Sequence, residues 1–226
     1  EPAHWSAGID YVPVDASVPL VSEAALRVRE AFPGVSLHPL AADLQAAIHL
    51  REWADAACAR SSLTLFTCFG MLTNQDAESF SRFAAGLLAP GDLLLISANL
   101  SPQGFAADRE RILAQYENAE ARAWFAGALA ELGLDSRDAK WEIGAQSQAE
   151  DGSAWRIVVD AIVRPGLALG LFGEKAALPA DGRLRVLFSN RFTREAAQRL
   201  LERAGLAIRS SWIDPSGEEG IFLCAR

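Results

Sequence analysis

Tyr11-Val12-Pro13-Val14-Asp15-Ala16-Ser17 and Leu63-Thr64-Leu65-Phe66-Thr67-Cys68-Phe69-Gly70 decide how the chain reads. Each is a largely apolar run of strand length that finishes on small or polar residues. In open α/β sheets ligands bind beyond the carboxyl ends of parallel strands, so both stretches predict a ligand edge. A nucleotide-binding sheet of this kind normally opens with a glycine-rich strand-to-helix turn. None stands ahead of Tyr11, and the expectation is a cofactor-binding fold whose first unit is missing from these residues.

Working outward, residues 9–15 read as a strand, 20–31 as an amphipathic helix and 35–41 as a second strand ahead of Asp43. An alanine-rich helix over 45–59, a strand over 63–69, a helix over 76–88 and a strand over 92–97 follow, with Pro90-Gly91 as a type II turn. Strands alternating with helices predict a mostly parallel sheet covered on both faces. From residue 103 the pattern changes. Asp108 to Leu132 reads as largely helical, and Trp141–Gln146, Trp155–Val163 and Leu184–Ser189 read as antiparallel strands of an α+β insertion. Thr193 is placed to cap a helix ending at Gly205, and 206–213 with 220–225 form a C-terminal antiparallel hairpin on the sheet edge. The expected organisation is therefore a Rossmann-like core over 1–102, an inserted substrate or lid domain over 103–190, and a return to the core over 191–226.

Composition narrows the function. The 226 residues are 50% hydrophobic, enough for a full core, and carry a formal net charge of -8 with no basic run. Such a surface repels a phosphate backbone, so nucleic acid is not expected as a partner. No apolar stretch is long enough for a membrane helix. Cys58, Cys68 and Cys224 lie far apart among apolar neighbours, which fits reduced, buried thiols and a cytoplasmic setting. His4, His38 and His49 have no Cys, Asp or Glu at a metal-ligand spacing, so no metal site is expected.

The candidate binding residues follow from position. Asp15, at the end of the first strand, is suited to accept both hydroxyl hydrogens of a ribose, or to cap the next helix. Asp43 is suited to accept from an adenine amino group with Leu44 against the ring; a helix cap is its other reading. Phe69 and Gly70 border the place where cofactor and substrate meet, and Gly70 permits close approach. Asn74 offers a donor and an acceptor to an amino-acid-like substrate, or caps the helix beginning near Gln75. Tyr116 and Asn118 fall on the expected insertion helix, on different faces unless it breaks there. Neither a Ser/His/Asp nucleophile nor a strong general base stands out. A site of this kind suits group transfer between two reactants held in line.

Tyr11–Ser17 (YVPVDAS), Phe32-Pro33-Gly34 leading to Asp43-Leu44, Leu88–Leu95 (LAPGDLLL), Tyr116-Glu117-Asn118-Ala119, Phe188–Phe192 (FSNRF) and Trp212-Ile213-Asp214-Pro215 span nearly the whole chain. In that order they resemble the histidine-specific, S-adenosylmethionine-dependent N-methyltransferases of the ergothioneine pathway. The resemblance implies a class I methyltransferase sheet with an inserted substrate lid. It also implies S-adenosyl-L-methionine as cofactor, leaving as S-adenosyl-L-homocysteine. Asp15, with Ser17 in the same stretch, would bind the ribose, Asp43 and Leu44 the adenine, and Phe69 and Gly70 would border the reacting end. In the family a glycine-rich loop ahead of YVPVD holds the methionine part, and its strand is central in the sheet. A companion N-terminal segment or chain is therefore expected to supply that strand.

On the substrate side the resemblance assigns Asn74 and Tyr116 to the substrate's amino-acid backbone and matches Ser189. Two departures stand out. Leu187 occupies the place of an acidic residue that holds the imidazole, and Val159 that of a methionine presented to the ring. Leucine has no acceptor for an imidazole N–H. The expected activity is thus N-methylation of an amino acid or small amine other than histidine. A methyltransferase-like binding or assembly module without catalysis, and a nicotinamide-dependent oxidoreductase, are the alternatives.

Overall fold

The structure is a computed structural model and describes residues 8–44, 47–58, 63–164, 168–171, 174–178 and 182–226. The opening stretch forms β1 (Asp10–Tyr11) and β2 (Val14–Asp15), followed by α1 (Val18–Ala31), β3 (Ser36–Leu37) and β4 (Leu40–Ala41). The N–H groups of Ser36, His38, Leu40 and Ala42 donate to the carbonyls of Ile9, Tyr11, Pro13 and Asp15 at 2.9, 3.0, 3.0 and 3.0 Å. These bonds are spaced as in one parallel ladder. The expected single strands over 9–15 and 35–41 are each divided in two because Pro13 has no N–H to give back to the facing strand. Ser17 caps α1, its hydroxyl accepting from the Leu20 N–H, and Pro19 follows in the first turn, where its missing donor is harmless.

Next come α2 (Ala47–Ala57), β5 (Leu65–Cys68), α3 (Ala77–Leu87) and β6 (Leu93–Asn99). The Pro90-Gly91 turn is as expected, with Gly91 at φ +93°. Arg51 of α2 forms an ion pair with buried Asp92 at the foot of β6, which ties that helix to the sheet. The inserted segment contains α4 (Phe105–Ala114), α5 (Ala119–Glu131), β7 (Ala139–Ser147), β8 (Ala154–Val163), β9 (Ala168–Leu171), β10 (Glu174–Ala177) and β11 (Arg183–Phe192). α6 (Arg194–Arg203), β12 (Ala207–Ile213) and β13 (Glu219–Ala225) close the chain. Thr193 caps α6 as expected. The expected run from Asp108 to Leu132 is instead two helices, because the Asn118 side chain caps α5 by accepting from the Ala121 N–H at 2.8 Å. β11 also runs past residue 190, the expected lid boundary, so one strand serves both parts. No described helix is long and apolar enough to cross a membrane.

The main sheet has the order β12-β13-β6-β5. Only its β5–β6 pairing is parallel, while β13 runs antiparallel to both neighbours. Among the described residues the other parallel strand pairs are β1 with β3 and β2 with β4, and one isolated parallel bridge joins Leu100 to Phe192. The layout thus differs from the mostly parallel sheet read from the sequence. Coverage differs as well. Residues Cys68, Leu94, Ile96, Phe222 and Cys224 are buried with Phe80 and Phe83 of α3 and Leu200 and Leu201 of α6 in one core. Alternation turns Leu65, Leu93, Leu95, Ile221 and Leu223 to the opposite face, which stays partly exposed because no described helix lies over it.

The residues expected to form a lid build a three-stranded antiparallel sheet of order β11-β8-β7, called the lid sheet, or lid, only by that expectation. Ile112 of α4 packs with Trp155 and Ile157, and Leu129 of α5 with Ala161 and Val163, so both helices cover one face of it.

Candidate functional site

Asp15 ends β2, Asp43 follows β4, Phe69 and Gly70 follow β5, and Asn99 ends β6. Each stands at the carboxyl end of its strand, where the open-sheet rule places ligands. The helix-cap reading of Asp15 does not hold, since Ser17 is the cap. One carboxylate oxygen of Asp15 accepts from the Ser17 N–H at 2.8 Å. The other has no hydrogen bond among the described residues. The Ser17 hydroxyl is engaged by α1, Asp43 is exposed, and Leu44 is half-buried against the main core.

Gly70 has φ +79° and open space where a side chain would project. Only glycine adopts this region without strain. Its N–H donates to the Ser97 hydroxyl at 2.9 Å, and its carbonyl accepts from the Thr73 hydroxyl at 2.6 Å. Phe69 beside it is 58% exposed. Asn74 is exposed, and Asp76 caps α3 in its stead by accepting from the Ser79 N–H. Asn190 stitches this loop to the lid. Its backbone N–H donates to the Thr73 carbonyl at 2.7 Å and its side-chain amide to the Gln75 carbonyl at 2.6 Å.

Register brings the remaining substrate candidates together. Leu187 lies directly opposite Val159, Ser189 opposite Ile157 and Arg191 opposite Trp155, so all share the lid face covered by α4 and α5. Val159 is fully buried and Ser189 nearly so. The Ser189 hydroxyl accepts from the Asn99 amide at 3.2 Å, which joins the lid to the carboxyl end of β6. Tyr116 is not on a helix but in the break between α4 and α5, and its hydroxyl accepts from Arg191 at 3.2 Å.

Arg191 escaped the sequence reading. It is 6% exposed, its Nε is buried without a partner, and no carboxylate pairs with it among the described residues. The indole N–H of neighbouring Trp155 is likewise buried and unsatisfied. In the sequence nothing separates Arg191 from a surface arginine, because only the β8–β11 register turns it under the helices. A cavity of about 650 Å³ lies elsewhere, lined by Gln75, Arg156, Asn190, Phe192 and Arg199 among others. The cofactor candidates Asp15, Ser17, Asp43, Leu44, Phe69 and Gly70 line none of it.

The expectation of isolated histidines is corrected at His38. Its Nε2 lies 3.0 Å from Asp10 Oδ1, and Cys58 offers its sulfur within 4.8 Å of both ligand atoms. Chain separation hid this trio from spacing rules. Burial, with the nearby Asp10 and Asp55 carboxylates, pushes the Cys58 thiol up, so it stays protonated at neutral pH. Burial raises Cys68 and Cys224 to about 11, in line with inert core thiols.

A family model described as "Histidine-specific methyltransferase, SAM-dependent" matches residues 2–226. No curated protein matches the chain. Among solved structures, a S-adenosylmethionine-dependent methyltransferase from Clostridium acetobutylicum ATCC 824 is 12% identical, with 95% of this chain and 74% of that one covered and a TM-score of 0.44. A SAM-dependent methyltransferase from Methanosarcina mazei is 12% identical, with 97% and 82% covered and a TM-score of 0.43. The glycopeptide N-methyltransferase MtfA complexed with S-adenosyl-L-homocysteine is 10% identical, with 96% and 73% covered and a TM-score of 0.40.

Proposed function

Because the chain belongs to the family of histidine-specific, S-adenosylmethionine-dependent methyltransferases, we propose that it methylates the nitrogen of an amino acid or small amine with an apolar side chain, rather than histidine. The observation that carries this reading is the cross-strand pair Leu187 and Val159 beside Ser189 under the lid helices. An imidazole N–H set against two aliphatic side chains loses its water and gains no acceptor, a penalty of about 1–3 kcal/mol. Arg191 supports the amino-acid arm. Its buried guanidinium meets the Tyr116 hydroxyl and no carboxylate among the described residues, which suits the substrate's own carboxylate. Asn74 and Tyr116 would orient the amino-acid backbone.

The residues present fit the adenosine half of the cofactor. Asp15 keeps one carboxylate oxygen for the ribose hydroxyls, Asp43 and Leu44 follow the neighbouring strand, and Gly70 leaves open space beside Phe69 for close approach. When bound, S-adenosylmethionine supplies a methyl group on an electron-poor sulfonium. The acceptor nitrogen must arrive unprotonated, since an ammonium has no lone pair, and this chain's task is to hold it in line.

Asp15→Ala is expected to weaken cofactor binding by about 1–3 kcal/mol in calorimetric titration of the natural polypeptide. Unchanged affinity would remove Asp15 from the cofactor site. For the substrate, S-adenosylhomocysteine release measured over a panel of amino acids should give apolar ones a kcat/KM about ten- to a hundredfold above histidine. Leu187→Glu should narrow that gap. A wild-type preference for histidine overturns the substrate reading and leaves the methyltransferase assignment intact.

A further inference from the structure

We propose that Asp10, His38 and Cys58 hold a divalent transition-metal ion of the zinc class, at the end of the first parallel ladder away from the candidate cofactor edge. A carboxylate oxygen of Asp10, a ring nitrogen of His38 and the Cys58 sulfur all lie within 4.8 Å of one another. His38 Nε2 stands 3.0 Å from Asp10 Oδ1. Around a tetrahedral zinc, with bonds of about 2.0–2.3 Å, neighbouring donor atoms stand about 3.3–3.6 Å apart. The oxygen and nitrogen are already near that spacing, and a small rotation of the Cys58 side chain closes the rest.

Register builds the cluster. Asp10 pairs with Ser36 and Val14 with Leu40, one constant offset along the β1–β2 run and its β3–β4 partner. Alternation then puts Asp10 and His38 on the face that turns Val14 and Leu40 toward the main core. α2 lies on that face too, with Leu50 in the core, and Cys58 directly follows its last residue, Ala57. Two of the three donors thus come from adjacent strands whose backbones are already joined, the His38 N–H donating to the Tyr11 carbonyl at 3.0 Å. Donors carried on paired strands hold their geometry better than donors on loops. Asp15, the candidate ribose ligand, ends the same run five residues on, roughly 16 Å away along the strand. The ion is therefore remote from methyl transfer and ties the end of α2 to the first ladder.

The donor set selects the ion. Imidazole with thiolate suits zinc, whereas magnesium and calcium call for oxygen donors throughout. One thiolate and one carboxylate balance the double charge of the ion, so the half-buried centre carries no net charge. On binding, the Cys58 proton leaves to solvent as the metal–sulfur bond forms. His38 binds through Nε2 as the neutral imidazole, with its proton on Nδ1. The field at the sulfur is negative, since the Asp10 and Asp55 carboxylates both act on Cys58, and a cation relieves it. The His38 and Asp10 side chains are 26% and 22% exposed, which gives the ion an entry path and leaves its fourth position to a water.

The test is titration of the chelator-stripped natural polypeptide with Zn²⁺, followed by calorimetry, and with Co²⁺, followed by absorption. One equivalent should bind, cobalt should show the near-ultraviolet band of a bound thiolate, and zinc should displace it. Cys58→Ser and His38→Ala should each weaken zinc binding by about a hundredfold or more, since losing even a group behind a metal ligand costs about 10- to 100-fold. Cys58→Ser should also erase the sulfur band. Melting guards against a misfolded variant: zinc should raise the wild-type Tm and leave that of Cys58→Ser where it was. No stoichiometric zinc binding, a cobalt spectrum without the sulfur band, or equal affinity in wild type and Cys58→Ser each overturns the proposal and leaves an Asp–His ion pair beside a thiol. Because neither S-adenosylmethionine nor an acceptor enters the titration, its failure is distinct from failure of the proposed activity.

Discussion

Replacing Asp108 by alanine is expected to destabilise the protein by about 3–5 kcal/mol, since it removes one partner of a buried charged network. The carboxylate is 1% exposed in the first turn of α4, where the helix dipole also favours a negative charge. It accepts from the Ser101 hydroxyl at 2.8 Å, the Gln103 N–H at 2.9 Å and Arg111 at 2.9 Å. These bonds fix the exit from β6 to the base of the lid, where Ser101 also donates its N–H to the Phe192 carbonyl. Alanine would leave the buried Ser101 donor without its partner. Burial pushes the Asp108 carboxyl up, but Arg111, the Gln103 N–H and Ser101 outweigh it and hold the group below the usual carboxylate range. Its contribution is therefore complete above the unfolded value of about 3.9 and is lost as pH falls through the lower folded value. Urea unfolding should show the full gap between wild type and Asp108→Ala at pH 7 and a shrinking one below about pH 4. A difference under about 1 kcal/mol at pH 7 would mean that the clamp is not a stabilising network.

Phe222→Ala should cost about 3–5 kcal/mol by opening a cavity in the main core. Phe222 is fully buried on β13 opposite Ile96, on the face covered by α3 and α6. Leu223, the next residue, points to the half-exposed face, and its truncation should cost about 1 kcal/mol or less because less apolar area leaves contact. Melting both variants in the 226-residue chain compares the two faces directly. Equal losses would show that the sheet is packed on both sides in solution.

Local chemistry accounts for much of the fold read from the sequence. Thr193 has an oxygen placed for the third N–H of its helix, and Pro90 with Gly91 has the dihedral freedom of a tight turn. Family membership confirms the cofactor, and sets aside the nicotinamide alternative. Neighbours in sequence misled where two residues compete for one role, as when Asp76 rather than Asn74 caps α3 and Ser17 rather than Asp15 caps α1. Spacing rules also missed Asp10, His38 and Cys58, which meet only because two parallel strands and the end of α2 come together.

The amino-acid sequence by itself determined most of the order of strands and helices, the Thr193 cap, the Pro90-Gly91 turn and the motifs that mark a methyltransferase, because these depend on groups a few residues apart. Tertiary structure alone decided which strands pair, which sheet face lies bare, and that Leu187, Val159, Ser189 and Arg191 share one covered face. Register is set by burial summed over distant partners: a shift of one residue would turn every one of those side chains to the other side of the lid.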